Sequence, residues 1–419
     1  MARLSLNSSR KTKTSDAGEI PVDWGCMQLA DFVRQPVSGV SVLASDDPPE
    51  KGQPGVLRLS CVTGGKFNPK DLKTPIASEV HRLTEFADAD SIIISRSNTP
   101  DLVGASAYVS RRYPNAFLPD TLWALYKKAG NISMRWLSLV LQSDSYSQKI
   151  QSIAHGTSDS MKKIQKGSFL KLPVMVPPLP EQQKIADILG MWDEALEKLD
   201  ALIGAKDRRK QALMRQLLTG ARRLPGFNKK WVRAKLGDLF ENRTESNRLD
   251  LSLLSITADH GVVRRDTLIK RDTSSEDKSK YLRIAPGDIG YNTMRMWQGV
   301  SALSSLEGIV SPAYTICIPT KHIDGQFVAH FFKLPHTISL FHRHSQGLVD
   351  DTLNLKFPHF ATIEVTVPSD VTEQRAIAAV FDTSDAELRL LRQQRTALDH
   401  QKRGLMQQLL TGKIRVNLS

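Results

Sequence analysis

An internal repeat constrains this chain more than any other feature of its sequence. Residues 181–220 read EQQKIADILGMWDEALEKLDALIGAKDRRKQALMRQLLTG, and residues 373–412 read EQRAIAAVFDTSDAELRLLRQQRTALDHQKRGLMQQLLTG. The two segments align without a gap at an offset of 192, with 17 of 40 positions identical. Unrelated segments of ordinary composition would share roughly two or three. Fainter echoes run upstream. Trp24, Leu29 and Asp31 correspond to Trp231, Leu236 and Asp238, and Gly156 and Asp159 to Gly347 and Asp350. A Val-Pro step precedes each copy, at Val176-Pro177 and Val367-Pro368. A duplication on this scale fixes the organisation as globular domain, helix, globular domain, helix.

Each repeated segment carries a helical seam. In the first, Ile185, Leu189, Trp192, Leu196, Leu199, Ile203, Lys206, Lys210, Leu213 and Leu217 follow alternating steps of four and three. The second gives Ile377, Phe381, Ser384, Leu388, Leu391, Arg395, Leu398, Lys402, Leu405 and Leu409. Spacing of this kind over about five heptads predicts a coiled-coil pair, with Ile185, Leu189, Leu196, Leu199, Ile377, Phe381, Leu388 and Leu391 as its pairing residues. A lone amphipathic helix on each domain's core is the simpler alternative. Length argues against it, because roughly 39 residues at 1.5 Å each reach about 58 Å. Charge selects the orientation. Residues 181–200 hold six acids and two bases, whereas 201–220 hold one acid and five bases, and the second copy repeats the trend. Antiparallel pairing sets each acidic half beside a basic half, while parallel pairing opposes like charges. Prolines at 173, 177, 178 and 180 fence off the first helix, and Gly220 and Gly412 stand where left-handed caps are expected. An antiparallel pair would set the two domains at opposite ends of a rigid bar.

The 419 residues suffice for two or three ordinary domains, and 40% hydrophobic with 24% charged residues describes a soluble globular protein. The net charge of +13 sits mostly in the globular stretches, +6 over residues 1–180 and +4 over 221–372, which points to a polyanionic partner. Three scattered cysteines, Cys26, Cys61 and Cys317, form no metal spacing and suggest a reduced, cytoplasmic setting. No apolar run approaches a membrane span.

Within the globular stretches DSIIIS (90–95), LWALY (122–126), GVLRLSCV (55–62) and YTICI (314–318) predict strands. RWLSLVLQ (135–142) and QFVAHFFK (326–333) predict amphipathic helices, so the fold class is α+β. A search for catalytic motifs finds none. No GxxxxGK[ST] phosphate loop occurs, no GxGxxG follows a strand, and no Asn-Pro-Pro-aromatic motif is present. Histidines 330, 336, 342, 344 and 359 gather in the second domain, but their spacing alone defines no metal site. What the sequence does offer is binding equipment. Lys66, Arg96, Asn98, Arg111 and Arg112 fall in predicted loops of the first domain, and Asn292, Arg295 and Gln298 lie in YNTMRMWQG of the second. Arg, Asn and Gln make bidentate contacts to purine edges, which makes these eight the candidate DNA-binding residues.

VPPLPEQQKIADIL running into KQALMRQLLTG, its second copy from TEQRAIAAVF to LMQQLLTGKIR, and the two WxxxxLxD domain openings are similar to the specificity subunit of type I restriction–modification enzymes. The resemblance implies two mixed α/β target-recognition domains separated by two long antiparallel coiled-coil helices, pseudo-twofold duplicated. Residues 1–20 are polar and are expected to form a flexible tail; after it come recognition domains over 21–178 and 222–370 and long helices over 179–221 and 371–419. The resemblance also implies a non-catalytic subunit that reads a bipartite asymmetric site on double-stranded DNA in phage defence. Two modification (methyltransferase) subunits would dock on its helices and the restriction subunits, a translocating endonuclease, would join them. No cofactor would be bound by this chain; S-adenosylmethionine, ATP and Mg would act on the partners. Two other readings remain open at the sequence level, a specificity subunit for a fused methyltransferase–endonuclease and a coiled-coil adaptor that binds no DNA.

Overall fold

The computed structural model describes residues 11–15, 18–128, 130–156, 161–258, 260–268, 275–349 and 352–417. The chain divides into two compact units, Met1–Lys198 together with Arg395–Ser419 (unit 1) and Leu199–Gln394 (unit 2). These boundaries cut through both long helices, Leu179–Leu217 and Val371–Leu410, rather than separating helices from globular domains. Each unit thus consists of one globular part, the N-terminal half of one long helix and the C-terminal half of the other.

Unit 1 is built around the strand Ser91–Ser95, which is buried along its whole length. It lies between Ser106–Val109 and Leu122–Tyr126 in an antiparallel sheet of four strands. Side chains alternate across such a strand. Ile92 and Ile94 face one core with Trp123, Trp136 and Leu137, while Ile93 faces a second with Cys61, Val62 and Ala124. Two-sided burial is why SIIIS reads as an unbroken apolar run. The helix Met134–Gln142 covers the first core, with the Ser133 hydroxyl accepting from the Trp136 amide at its N-cap. GVLRLSCV departs from expectation: only Gly55–Leu57 is strand. Residues Leu59–Gly65 coil into a 3-10 segment that breaks at Gly64, whose φ of 81° suits glycine. The tail also departs, because Thr12–Ser15 pairs with Gly18–Pro21 as an antiparallel hairpin. Residues 1–10 of the proposed flexible tail lie outside the described residues.

Unit 2 repeats this plan with different side chains. Its central strand Ile289–Asn292 lies between Tyr314–Pro319 and Ser301–Leu303, and the helix Gly325–Phe331 takes the place of Met134–Gln142, capped by Asp324. In each unit a strand near the domain opening pairs with the one that leads into a long helix: Gly25–Gln28 with Pro173–Val176, and Trp231–Lys235 with Glu364–Pro368.

The long helices are anchored identically in both units. Gln182 and Gln374 are fully buried. The Gln182 side-chain oxygen accepts from the Ser133 amide (2.8 Å), and its nitrogen donates to the carbonyls of Asn131 and Pro177. Gln374 does the same with the Asp324 amide (2.7 Å) and the carbonyls of His322 and Pro368. Beside them Glu181 accepts two bonds from Arg415 (2.5 and 2.6 Å) and one from the Trp24 indole (3.1 Å). Glu373 is met in the same way by Arg223 (2.5 and 2.6 Å) and Trp231 (3.5 Å). A buried carboxylate is tolerated only when paired and hydrogen-bonded, and here both conditions hold. Gly220 and Gly412 adopt φ of 75° and 71°, and a Cβ at Gly412 would lie 2.6 Å from Pro21.

Within each unit the helix halves run antiparallel. Ile185 and Leu189 share a core with Leu409 and Leu410 in unit 1, and Ile377 and Phe381 share one with Met214, Leu217 and Leu218 in unit 2. Lys402 bonds Asp193 (2.8 Å) and Lys210 bonds Asp385 (2.5 Å), so the two equivalent seam lysines meet aspartates that are themselves equivalent in the repeat. Leu196 and Leu388 are buried, while Leu199 and Leu391 are half-buried. The outermost pairing residues therefore serve two surfaces, the opposite helix and the domain core.

Candidate nucleic-acid interface

A central strand buried on both faces has no free surface, so any contact with a ligand must come from the loops at its ends. In unit 1 the chain leaves Ser95 into Arg96–Thr99, and Ser97 and Asn98 pair with Lys163 and Lys162. The Ile164 amide donates to the Arg96 carbonyl (2.8 Å). In unit 2 the chain leaves Asn292 into Thr293–Gly299, and the Leu355 amide donates to the Thr293 carbonyl (2.8 Å). Both partners, Ile164 and Leu355, belong to the run-up to a long helix that begins at Gly156 and Gly347. The duplication thus sets two segments side by side in each unit, the exit of the central strand and this run-up.

The unit 2 loop is the better exposed. Met296–Gln298 forms one 3-10 turn closed by Gly299 in the left-handed region (φ 77°). The Trp297 indole donates to the Met294 carbonyl (3.0 Å) and meets the His342 ring edge-on at 5.8 Å. Lys333 clamps the base of the loop by donating to the carbonyls of Gly299 (2.6 Å) and Ser301 (2.8 Å). Arg295 and Gln298 project into solvent from this braced turn, next to exposed Met294. Asn292 is half-buried, and its side-chain oxygen accepts from the Met294 amide (3.0 Å), so it shapes the turn.

The unit 1 candidates are more divided. Asn98 is buried, donates to the Ser95 hydroxyl (3.2 Å) and accepts from the Thr99 amide (2.9 Å). Arg96 is half-buried, with Asp120 at 3.6 Å and a buried Nε that has no hydrogen-bond partner among the described residues. Lys66 is exposed but directed to the first long helix, bonding Glu197 (2.7 Å). Arg111 and Arg112 lie on a separate turn, where Arg111 stacks over Tyr113 and bonds its hydroxyl (3.0 Å), and Arg112 stacks over Phe86 at 4.7 Å. Stacking of this kind holds a guanidinium in place with donors left to the solvent side. Burial first and then Asp90 push the Tyr108 phenol up to about 12, so it stays a neutral donor to that carboxylate.

The candidates read from sequence did not include Lys162 and Lys163 of unit 1, which pair with Asn98 and Ser97, or His342 of unit 2, named there only among the clustered histidines, which meets Trp297. A signal for the first pair existed, since the Gly156/Gly347 correspondence marks the run-up as part of the repeat. The histidines are dispersed: His330 bonds Asp382 of the second long helix (2.8 Å), and the His344 Nδ1 faces the Leu340 carbonyl. Among the described residues no three His, Cys, Asp or Glu side chains converge as a metal site would require. No helix among them is long and apolar enough to cross a membrane.

Comparisons with known proteins bear on the sequence and the fold as a whole. Residues 77–203 match the family described as type I restriction modification DNA specificity domain. The specificity subunit of the type I restriction enzyme MjaVIII from Methanocaldococcus jannaschii is 22% identical over 424 aligned residues, covering 95% of this chain and 94% of that protein. That of EcoEI from Escherichia coli is 21% identical over 182 residues, 43% of this chain and 31% of the relative. Among solved structures, the type I restriction–modification S subunit from M. genitalium is 15% identical with a TM-score of 0.56, covering 92% of this chain and 96% of that one. A chain from a structure addressing complex assembly and conformational transition of a type I system is 14% identical, also at 0.56, covering 94% and 99%. In sequence along its length and in fold, the chain is thus similar to the specificity subunits of type I restriction enzymes.

Proposed function

We infer that this chain is the sequence-specific DNA-recognition subunit of a type I restriction–modification complex in the cytoplasm. One observation carries the reading. Two units with the same helix anchor present different side chains at the same structural place, Arg96 with Lys162 and Lys163 in one, Arg295 and Gln298 in the other. A shared scaffold with divergent tips suits two readers of two different half-sites, and so a bipartite, asymmetric target on double-stranded DNA. Phosphate contacts from Lys and Arg would position each unit, and Arg and Gln at purine edges would supply the sequence information.

The chain carries no chemistry of its own in this reading. Two modification subunits dock on the paired helices and bring S-adenosylmethionine, and the restriction subunits bring ATP and Mg. Genome-wide mapping of methylated adenines with and without this chain tests it. A bipartite motif with a fixed spacer should be methylated only when the chain is present. Unchanged methylation in its absence would refute the assignment.

A further inference from the structure

The two helix-pair faces are related by the repeat, yet they differ chemically where they are exposed. In unit 2 a groove of about 500 Å³ opens between the helices, lined by Lys206, Arg209, Lys210, Val380, Thr383 and Ser384 among others. At an offset of 192 the same places in unit 1 hold Leu398, Gln401, Lys402, Ile188, Met191 and Trp192. Two large side chains in unit 1 are thus replaced by two small hydroxyl residues in unit 2. Those hydroxyls are turned back on their own helix, Thr383 donating to Ala379 (2.8 Å) and Ser384 to Val380 (2.9 Å). Met191 is 59% exposed, an unpartnered apolar side chain on the unit 1 face.

Charge differs as sharply as shape. Lys206 and Lys210 are neutralised by Glu387 (2.6 Å) and Asp385 (2.5 Å). Arg209 is exposed and has no ion-pair partner among the described residues, and its unit 1 counterpart Gln401 is uncharged. Of the three basic residues lining the groove, Arg209 is the one left to meet an outside carboxylate.

We propose that two copies of one modification subunit bind this chain unequally: the copy on unit 1 is held by apolar contact at Met191 and Trp192, and the copy on unit 2 by insertion into the groove and by charge at Arg209. The proposal rests on the functional reading above, which supplies the partner and its two copies. Identical partners bring identical surfaces, so any difference in affinity must come from this chain. An exposed charge pair is screened by salt, whereas apolar burial is not. Raised salt should therefore remove the unit 2 copy first.

The test uses the full-length chain co-expressed with the modification subunit of its own system, with stoichiometry read by sedimentation from roughly 50 mM to 0.5 M salt. Wild type should pass from two bound copies to one before losing both. Arg209→Glu should weaken one site on the order of tenfold, giving a one-copy complex already at low salt. Met191→Thr should weaken the other, leaving a complex whose remaining copy is lost as salt rises. Simultaneous loss of both copies by wild type would overturn the inequality, as would an Arg209→Glu chain that keeps two copies at low salt or releases both. If wild type binds no copy at any salt, the functional reading itself fails, and this inference with it.

Discussion

Arg415 closes a cluster that Glu181, Asp23 and Trp24 cannot complete without it. Glu181 is 1% exposed and takes both of its strong bonds from this guanidinium. Removing one partner of such a buried pair typically costs about 3–5 kcal/mol, because the other charge stays behind unpaired. Arg415→Ala should lower the stability of unit 1 by that order in urea unfolding. Arg223→Ala should cost less in unit 2, since the Arg223 side chain is 28% exposed against 8% for Arg415. Arg415→Lys should rescue little, because an ammonium cannot reproduce the forked geometry. The candidate readers separate by the same reasoning. Arg295→Ala should weaken specific DNA binding by about 1–3 kcal/mol and leave the melting temperature alone. Asn98→Ala should reduce stability instead, its side chain being committed to the Ser95–Thr99 turn. Both outcomes are read by a binding titration beside a thermal melt, and the reverse pattern would exchange the two roles. At this scale the sequence was only partly legible. It shows that Asn98 and Lys66 are polar and in loops, but not that one turns inward and the other pairs with a helix distant in sequence.

The helices were legible because their signal is periodic and long. Step pattern, charge order and glycine caps all pointed the same way, and antiparallel pairing appears within each unit. What periodicity could not reveal is that the helix ends do double service. Ile185 and Phe381 sit in domain cores as well as on the seam, so the lone amphipathic alternative describes the ends and the coiled coil describes the middle. Leu196 and Leu388 are buried mid-helix and lie outside the domain cores. Leu196→Asp with Leu388→Asp should forfeit about 1.5–3 kcal/mol of burial at each position and add a desolvation cost. Circular dichroism should show an earlier melt, and co-purification should show less bound modification subunit. Wild-type values for both would mean that the middle of the seam is dispensable. GVLRLSCV failed for the opposite reason: eight residues are too short for a period to settle the element, and after Leu57 the chain turns into the 3-10 segment Leu59–Gly65.

For the molecule as a whole, duplication with divergence predicts modular specificity. Replacing residues 20–175 with the equivalent stretch of a relative should change one half-site and preserve the other, as read by methylation mapping. A change in both halves, or in neither, would defeat the two-reader model. The paired strands Gly25–Gln28 and Pro173–Val176 travel almost whole with the swap, whereas Glu181 and Arg415 stay behind, so the donor has to supply equivalents of Asp23 and Trp24 for them.

Unit 1 is discontinuous, and that has a consequence for how the chain is made. Its core includes Leu409, Leu410 and Val416, yet the whole of Leu199–Gln394 is translated before they are. At roughly 5–20 residues per second, the opening half of the molecule waits on the order of 10–40 seconds for the residues that finish it. Unit 2 is one continuous stretch and suffers no such delay. The domain begun first is therefore completed last, with Ile185 and Leu189 uncovered in the interval, a state open to chaperones or to aggregation. A nascent chain stalled before residue 395 should show hydrogen-exchange protection across unit 2 and little across Leu179–Lys198, whereas protection of both at that length would mean that unit 1 does not need its closing segment.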